Sequence, residues 1–417
     1  MTGPGSLAVL PDAAAGVEAA AGSAGLPAEW RAEIGGIEVL FGANTVDRLG
    51  ALAVELGGRR VFLVTDPGVR GAGHADRAAA ALEGAGAAVQ IFDRVGENPT
   101  EGEVETGRAA AADFAPDLLV ALGGGSAMDC AKGINFVLTN GGRMADYRGF
   151  GRATRPLLPA IGLPTTGGTG SDAQSYALIS HGETHEKMAC GDRKARFRLV
   201  VLDPTLALSA PPRVAAVTGF DALSHAVESH VSKKANPVSR LFSRAAWGLL
   251  APAFERVVMA GGAAGAAASG LGGIGDMGDM GDMGDLLFGA HLAGAAIEAS
   301  MLGGAHAAAN PLTARFGVVH GVAVALLLPH VVRFNASVAE AAYKDLTGLG
   351  AAALAERIAA HRRAAGLPEH LADLAIPGLD RSILPVLARE ATGQWTGTFN
   401  PRPLTEADFL SLYETAF

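Results

Sequence analysis

The segment ALGGGSAMDCAK, Ala121 to Lys132, joins an apolar run to three glycines and then places a serine, an aspartate and a lysine at helical spacing. Glycines let the backbone leave a strand and approach a ligand closely. The start of the following helix offers unpaired N–H groups and the positive end of the helix dipole. The segment predicts a pyrophosphate site, although a tight strand-to-helix turn needs glycine in any case. Its spacing matches neither the GxGxxG fingerprint nor the P-loop.

A second loop strengthens the prediction of a nucleotide site. The segment LPTTGGTG, Leu163 to Gly170, also follows an apolar run and combines a flexible backbone with hydroxyl groups that can bind phosphates. Two such loops in the first half of the chain indicate one extended anionic ligand.

A set of acidic and imidazole side chains lies in the second half. Asp221 and His225 are four residues apart in a segment predicted to be helical, so both can face one point, and His306 and His320 add two imidazoles. Mixed oxygen and nitrogen donors suit Fe(II) or Zn(II). The spacing alone leaves a metal site and ordinary packing both open, and we assign the remaining histidines to packing or the surface.

The elements that must position these residues follow a strand–helix–strand order in the first half, which predicts a parallel, doubly wound sheet. After the prolines of ALSAPPR the pattern becomes helical up to the C-terminus, and we place the domain boundary near Leu208 to Pro212. The predicted strands are Val61 to Thr65, Ala88 to Phe92, Leu118 to Leu122, Leu157 to Leu163 and Leu199 to Leu202.

Composition narrows the partners and the compartment. A chain of 417 residues with 49% hydrophobic residues and a formal net charge of -9 favours a two-domain globular protein and disfavours nucleic acid or an anionic membrane as partner. The two cysteines cannot build a disulfide framework, and the longest strongly apolar run, Val322 to Leu328, is too short to span a bilayer. We therefore expect a cytoplasmic protein.

Two segments have low-complexity character. The N-terminal residues 1–31 lack the pattern of a signal peptide and are predicted to form a flexible extension. The triplet repeat GDMGDMGDMGD, Gly275 to Asp285, lacks the ligand pattern of a calcium loop and is predicted to be a solvent-facing expansion between helices.

Several spaced motifs together resemble one family. GGGSAMDCAK is similar to the GGGSxxDxAK signature of the iron-containing (group III) alcohol dehydrogenases, LPTTGGTGSD resembles their PTTAGTGSE loop, and ENPT resembles their PNPT turn. GFDALSHAVESHVS, GAHAAANPL, FGVVHGVAVALLLPHVVRFN and the closing TGTFNPRPLTEADFLSLYETAF also resemble family segments in the expected order. The resemblance extends over roughly residues 32–417.

This resemblance implies a Rossmann-like parallel-sheet domain at residues 32–208 that binds NAD and a helical, metal-binding catalytic domain at residues 209–417, with a dehydroquinate synthase-like architecture and the site in the cleft between the domains. It also implies a homo-oligomer, expected to be a dimer. The activity it implies is hydride transfer between NAD(H) and a small alcohol or its aldehyde or ketone.

The resemblance assigns cofactor contacts by position. Asp66, at the end of an early strand in VFLVTDPG, could bind the ribose hydroxyls of adenosine and would repel a 2′-phosphate, which favours NAD over NADP; alternatively, it only starts a turn before Pro67. The other assigned contacts are Gly124, Gly125 and Ser126 at the pyrophosphate, Asp129 supporting the turn, Thr165 and Thr166 at the nucleotide, and Lys187 and Leu206.

The resemblance also completes the metal site. Asp221, His225, His306 and His320 match the family's metal ligands, with Fe(II) expected and Zn(II) as the alternative. Family members with an extra histidine have HxxxH where this chain has HAAAN, which puts Asn310 in place of an imidazole. Because an amide carries no titratable proton, we expect the proton route to use the cofactor ribose and water, and Asn310 to face the substrate. The alternative is that Asn310 ends a helix before Pro311.

Two other functions compete with the dehydrogenase. A lyase of the dehydroquinate synthase type shares the architecture and uses NAD and a metal, but the second half of this chain lacks a dense set of phosphate-binding Lys, Arg and His residues. A nucleotide-binding module without catalysis is disfavoured by the four retained metal ligands.

Overall fold

A computed structural model of the protein describes residues 8–9, 29–182, 186–265 and 280–417. Most of the predicted N-terminal extension and the first part of the Met/Asp repeat lie outside these residues. The chain divides into two compact units, and the division falls in the sequence between Ala210 and Pro211.

The first unit contains a sheet of eight strands in the order β1-β2-β3-β11-β8-β6-β4-β5 and a smaller sheet in the order β7-β10-β9. In the larger sheet β2 and β3 are antiparallel, and all other neighbouring strands are parallel. The strands are β1 (Ala8–Val9), β2 (Glu29–Ile34), β3 (Ile37–Gly42), β4 (Arg60–Val64), β5 (Ala88–Phe92), β6 (Leu118–Gly123), β7 (Gly149–Phe150), β8 (Ala160–Pro164), β9 (Tyr176–Ser180), β10 (Lys187–Gly191) and β11 (Leu199–Leu202).

Helices connect the parallel strands. They are α1 (Leu49–Glu55), α2 (Pro67–Gly71), α3 (His74–Gly84), α4 (Glu101–Phe114), α5 (Gly125–Asn140) and α6 (Pro204–Ala207), with 3-10 turns at Thr45–Arg48, Met144–Tyr147 and Arg193–Ala195. Every residue of β6 and β8 is buried, as expected for parallel strands that are covered on both faces.

The strand order sets the place of a ligand site. After β4 the chain adds β5 on one side, and it then returns to add β6 and β8 on the other side. The connections therefore diverge at the carboxyl ends of β4 and β6, and ligands of doubly wound sheets bind at such a point. The loops after these two strands contain Asp66 and the three glycines.

The second unit is helical throughout its described residues. Its helices are α7 (Pro212–Val231), α8 (Pro237–Gly265), α9 (Met280–Ala299), α10 (Gly304–Phe316), α11 (His320–Thr347), α12 (Ala351–Ala364), α13 (Leu384–Thr392) and α14 (Glu406–Ala416), with 3-10 turns at Leu371–Leu374 and Trp395–Phe399. Among the described helices, α11 alone is long and apolar enough to cross a membrane, and α9 and α10 pass the same test only as a pair bent by 104°. Because α11 is 67% buried over that window, it is a core helix of this unit.

The structure confirms the predicted fold class, a parallel-sheet unit followed by a helical unit. It adds two antiparallel pairs, β2 with β3 and β9 with β10, that the sequence analysis did not predict. Strand β2 begins at Glu29 and buries Trp30. The sheet therefore includes residues at the end of the predicted N-terminal extension, residues 1–31.

The described part of the Met/Asp repeat corrects a second expectation. Met280 to Asp285 form the start of α9, where Asp282 is buried and its Oδ1 lies 2.6 Å from a guanidinium nitrogen of Arg256. This part of the repeat is therefore packed in the helical unit and is not a purely solvent-facing expansion.

Candidate functional site

The turn between β6 and α5 has the backbone that a close ligand approach requires. Gly123 has a φ of +149°, which L side chains rarely adopt, and Gly124 is the N-cap of α5. A Cβ on Gly125 would lie 2.7 Å from Thr169 Cγ2 and Oγ1, so no larger residue fits there without movement. The turn thus brings a bare backbone to the start of a 16-residue helix, where N–H groups and the helix dipole favour an anion.

The second predicted loop lies beside this turn. In the register of the sheet Gly123 is opposite Pro164, and the N–H of Thr165 donates to the carbonyl of Gly123 over 3.0 Å. A Cβ on Gly124 would be 3.5 Å from Thr166 Oγ1. The structure therefore brings together the two loops whose glycines and hydroxyls predicted one extended ligand.

Asp66 follows β4 at the same edge of the sheet. Its Oδ1 accepts a 2.9 Å hydrogen bond from the N–H of Val69 and caps α2, so the turn-starting role of Asp66 is present. Its Oδ2 faces the glycine turn, because a Cβ on Gly123 would lie 3.0 Å from that oxygen. Capping therefore leaves one carboxylate oxygen beside the glycine turn.

Ser126 connects the ENPT turn to the glycine turn. Its hydroxyl accepts a 3.3 Å hydrogen bond from the N–H of Asn98, which has a φ of 54°. Thr100 of the same turn caps α4 in a reciprocal capping box with Glu103. The ENPT segment is thus a helix start fixed against α5.

Asp129 and Lys132 lie beneath the turn on α5, and both are buried. The ammonium of Lys132 donates to the carbonyl oxygens of Ser171, Gln174 and Tyr176 at 2.5, 2.7 and 3.0 Å, which ties the loop after β8 to α5. Burial raises the pKa of Asp129 to about 6, although Lys132 opposes that shift. Lys132 was not among the predicted site residues, and its place in the glycine motif was the available signal.

The two remaining predicted contacts differ in their surroundings. Lys187 begins β10, is half-buried, and favours the ionised form of Asp129. Leu206 is fully buried in the core cluster of the first unit, so only its backbone could reach a nucleotide.

In the helical unit, three helices bring the predicted metal ligands together. Asp221 and His225 lie one turn apart on α7, His306 lies in the first turn of α10, and His320 begins α11. Asp221 Oδ1 is 3.3 Å from His225 Nε2, 3.4 Å from His306 Nε2 and 4.0 Å from His320 Nε2. The imidazole of His306 lies between the other two, with ring centroids 5.0 Å from His225 and 5.3 Å from His320.

These distances fit one cation. Ligand atoms about 2.1 Å from a tetrahedral ion are about 3.4 Å apart and can never be more than about 4.2 Å apart. Asp221, His225 and His306 are buried, and Asp221 Oδ1 and His306 Nε2 form no hydrogen bond within the described residues. Buried polar atoms without hydrogen bonds are rare, and a shared cation would satisfy these two.

The carboxylates and imidazoles of this cluster shift one another's pKa values. Burial alone would raise the pKa of Asp221, but His225 and the other two imidazoles hold it well below its usual range. Burial alone would lower the pKa of His306, but the carboxylates of Asp221 and Glu228 raise it to about 9. The carboxylates of Asp221 and Glu228 therefore favour positive charge at His306.

Glu228 is a further buried residue of this cluster, and it was not among the predicted site residues. It lies on α7 seven residues after Asp221, and its Oε2 is 2.6 Å from His306 Nδ1. The pattern DxxxHxxE places its three polar residues on one helix face, so the signal was present in the spacing. Its burial was not expected, because glutamate is rarely buried unless it is paired.

Asn310 lies on α10 one turn after His306 and is partly buried. Its Nδ2 donates a 3.0 Å hydrogen bond to Gln394 Oε1, a partner that the sequence did not indicate. Helix α10 continues through Pro311 to Phe316, so the alternative that Asn310 ends a helix is wrong.

His230, which lies outside the predicted ligand set, has a packing role. It is fully buried on α7, with Nδ1 2.8 Å from Ser243 Oγ and Nε2 3.1 Å from Asp345 Oδ2. Both ring nitrogens are thus occupied by protein groups. His185 lies outside the described residues.

Comparisons with known proteins cover both units. The profile of the family described as "Iron-containing alcohol dehydrogenase" matches residues 37–204, and that of "Fe-containing alcohol dehydrogenase family, C-terminal" matches residues 215–417. The chain is 34% identical over 391 residues to a 1,3-propanediol dehydrogenase of Klebsiella pneumoniae, covering 90% of this chain and 96% of the relative. It is 33% identical over 385 residues to alcohol dehydrogenase 4 of Schizosaccharomyces pombe, covering 90% and 87% of the two chains.

A solved structure shows the same similarity in three dimensions. The crystal structure of a 1,3-propanediol oxidoreductase superposes with a TM-score of 0.82 at 31% identity and covers 91% of this chain and 97% of that chain. The similarity therefore includes both the sheet unit and the helical unit.

Proposed function

The chain belongs to the iron-containing alcohol dehydrogenase family, and from that premise we infer that it is a metal-dependent alcohol dehydrogenase that transfers hydride between NAD(H) and a small alcohol or carbonyl substrate. The observation that carries this proposal is the convergence of Asp221, His225, His306 and His320 on one point, where two buried atoms, Asp221 Oδ1 and His306 Nε2, find no hydrogen-bond partner among the residues that the structure describes. A core packed for stability alone would pair such atoms.

When bound, a divalent metal would supply Lewis-acid stabilisation of the substrate oxygen, and NAD would supply or accept the hydride. The protein's own residues bind and orient these groups. Asp221 and the three imidazoles hold the metal, with Fe(II) expected and Zn(II) as the alternative, since both accept this mixture of oxygen and nitrogen donors.

The glycine turn holds the cofactor. We propose that Gly124, Gly125 and Ser126 bind the pyrophosphate at the start of α5, with Thr165 and Thr166 lining the nucleotide from the neighbouring loop and Asp129 supporting the turn from below. Lys187 and the backbone of Leu206 are the remaining proposed contacts. The hydrogen bond from Thr165 to Gly123 supports this grouping because it fixes the two loops together.

The preference for NAD follows from Asp66. Its Oδ1 caps α2 while its Oδ2 lies at the edge of the glycine turn, where it can accept from the adenosine ribose. A 2′-phosphate at the same place would bring two negative groups together. We therefore propose that the enzyme uses NAD rather than NADP.

Asn310 sets the polar character of the substrate site. Because its amide nitrogen donates to Gln394, its carbonyl oxygen remains available to accept a hydrogen bond from a substrate hydroxyl or from water. The amide can position a water molecule but cannot relay a proton itself. Asn310 would hold a water molecule in place, and the ribose hydroxyls of a bound NAD would supply the exchangeable protons.

Two further proposals concern the oligomeric state and the cellular compartment. We propose a homodimer on the basis of family membership, which light scattering of the purified protein tests. The free cysteines Cys130 and Cys190, both buried, are compatible with the reducing cytoplasm that we propose as its compartment.

The comparisons favour the dehydrogenase over the lyase of the dehydroquinate synthase type and over a non-catalytic nucleotide-binding module. The test is to load the purified protein with Fe(II) or Zn(II), supply NAD and a panel of short alcohols and diols, and follow the reduced nicotinamide band. Metal-dependent reduction of NAD supports the proposal. A metal-loaded protein that binds NAD but oxidises no alcohol and reduces no carbonyl compound contradicts it.

A further inference from the structure

Glu228 is buried beside the metal ligands and has no Lys or Arg partner among the described residues. Its Oε2 lies 2.6 Å from His306 Nδ1, at the distance of a charge-assisted hydrogen bond. Since the ligand set already contains Asp221, the protein places a second carboxylate in the same buried region. Burying an unpaired charge is costly, so Glu228 requires a positive or donating partner.

Backbone donors hold this carboxylate in place. Glu228 Oε1 accepts from the N–H of Ala305 at 2.7 Å, and Oε2 accepts from the N–H of Gly303 at 3.1 Å. Both donors belong to the start of α10, the helix that carries His306. A Cβ on Gly303 would lie 3.0 Å from Glu228 Oε1, so a residue larger than glycine would crowd the carboxylate.

A second side chain, Asn400, fixes the same helix start without touching His306. Its Oδ1 accepts from the N–H of Gly304 at 3.1 Å, and Asn400 exchanges side-chain amide hydrogen bonds of 3.0 and 2.7 Å with Asn335. The helix start is thus held in two ways, and only the contact with Glu228 includes the imidazole. This separation allows the two roles to be tested independently.

We infer that Glu228 is a positioning residue that holds the Nδ1 proton of His306 and thereby directs the lone pair of Nε2 to the point it shares with Asp221 and His225. Outer carboxylates of this kind fix the tautomer and ring orientation of metal-binding histidines. The inference rests on the proposed metal site and adds a residue that binds neither metal nor substrate.

The experiment compares metal binding by the full-length wild type and variants, with Zn²⁺ affinity measured by competition with a chromophoric chelator. Glu228→Gln keeps the size of the side chain but has one accepting oxygen where Glu228 uses two. We expect about 10- to 100-fold weaker Zn²⁺ binding and altered absorption bands of the Co²⁺-loaded protein. Glu228→Asp, which keeps both oxygens and the charge, should bind Zn²⁺ more tightly than Glu228→Gln.

Two controls separate positioning from folding. Glu255→Gln alters a carboxylate–imidazole contact of the same length outside the ligand set, since Oε1 of the partly exposed Glu255 lies 2.6 Å from Nε2 of the buried His361. Asn400→Ser removes the acceptor for Gly304 but leaves the contact between Glu228 and His306. Both controls should lower the Tm of the metal-free protein while Zn²⁺ affinity stays within about threefold of wild type, a change of less than 1 kcal/mol.

The outcomes distinguish this inference from the proposed function. Wild-type affinity and an unchanged Co²⁺ spectrum in Glu228→Gln would overturn the inference, as would an equal loss of affinity in Asn400→Ser. If Glu228→Gln does not fold, the comparison of Glu228→Asp with wild type decides. The aspartate side chain is one methylene group shorter and cannot keep the 2.6 Å contact with His306 Nδ1 without movement, so an unchanged Co²⁺ spectrum in that variant overturns the inference. A wild-type protein that binds no metal would refute the proposed function itself.

Discussion

Replacing Gly125 by alanine is a small perturbation with an effect that follows from the glycine turn. The added Cβ would lie 2.7 Å from Cγ2 and Oγ1 of Thr169 and 2.8 Å from its Cβ. Real Cβ atoms almost never approach so closely, and Thr169 is held through a 3.3 Å hydrogen bond from Gln174 to its carbonyl oxygen. Either the loop after β8 or the start of α5 must move.

Overpacking of this kind costs about 1–3 kcal/mol. At about 2–4 °C per kcal/mol for a domain of this size, Gly125→Ala should lower the Tm of the first unit by about 2–12 °C. The displacement that relieves the clash also moves a loop that is proposed to bind the nucleotide. Losing one such contact, worth about 0.5–1.5 kcal/mol, should weaken NAD binding about two- to twelvefold. Calorimetry gives both quantities, as the Tm of the metal-loaded protein and the Kd for NAD.

The control is the neighbouring residue. A Cβ on Gly124 would be 3.5 Å from Thr166 Oγ1, an ordinary contact, so Gly124→Ala should change stability by no more than about 1 kcal/mol. Adding Thr169→Gly to Gly125→Ala removes the clashing atoms, and a double-mutant cycle should then show a compensating coupling of about 1–3 kcal/mol. Equal Tm values for the two alanine variants, or strictly additive effects in the cycle, would refute this account of the turn.

Three further predictions concern the individual site residues. Asp66→Gly should lower the ratio of kcat/KM with NAD to kcat/KM with NADP by about tenfold or more, because like-charge repulsion of a 2′-phosphate disappears. A wild-type enzyme that uses NADP as well as NAD would contradict this. One Lewis-acid site requires roughly one metal ion per chain, and the double variant Asp221→Ala with His306→Ala should purify without it. Elemental analysis measures the metal content, and full metal content in this variant would mean that the ligands are wrongly assigned. Asn310→Leu should keep its metal and lower kcat/KM by the worth of one polar contact, about 0.5–1.5 kcal/mol, and unchanged kinetics across the alcohol panel would exclude a role in substrate or proton handling.

The sequence predicted the parallel sheet well because its strands are buried on both faces and appear as continuous apolar runs. It did not indicate the antiparallel pair of β9 and β10, whose strands are each five residues long and contain both buried and half-buried residues. Short, half-buried strands depend on partners that lie far apart in the sequence.

The site residues also divide into those that the sequence indicated and those that it did not. Local spacing predicted the glycine turn and the shared helix face of Asp221 and His225, and the assignment of these two residues as metal ligands came from the family resemblance. The partners Glu228, Asn400 and Gln394 were not assigned, because their roles depend on contacts with residues 75 to 96 positions away. Such pairings arise from helix packing, which a helical pattern alone does not specify.

Anomalous X-ray scattering from crystals of the metal-loaded protein, recorded at the iron and zinc edges, tests the central claim most directly. We predict one strong peak in each chain, about 2.0–2.2 Å from Asp221 Oδ1 and from the Nε2 atoms of His225, His306 and His320. A fully loaded crystal with no peak at this point, or with its metal bound by other residues, would contradict the assignment of this site as the Lewis-acid centre of an alcohol dehydrogenase.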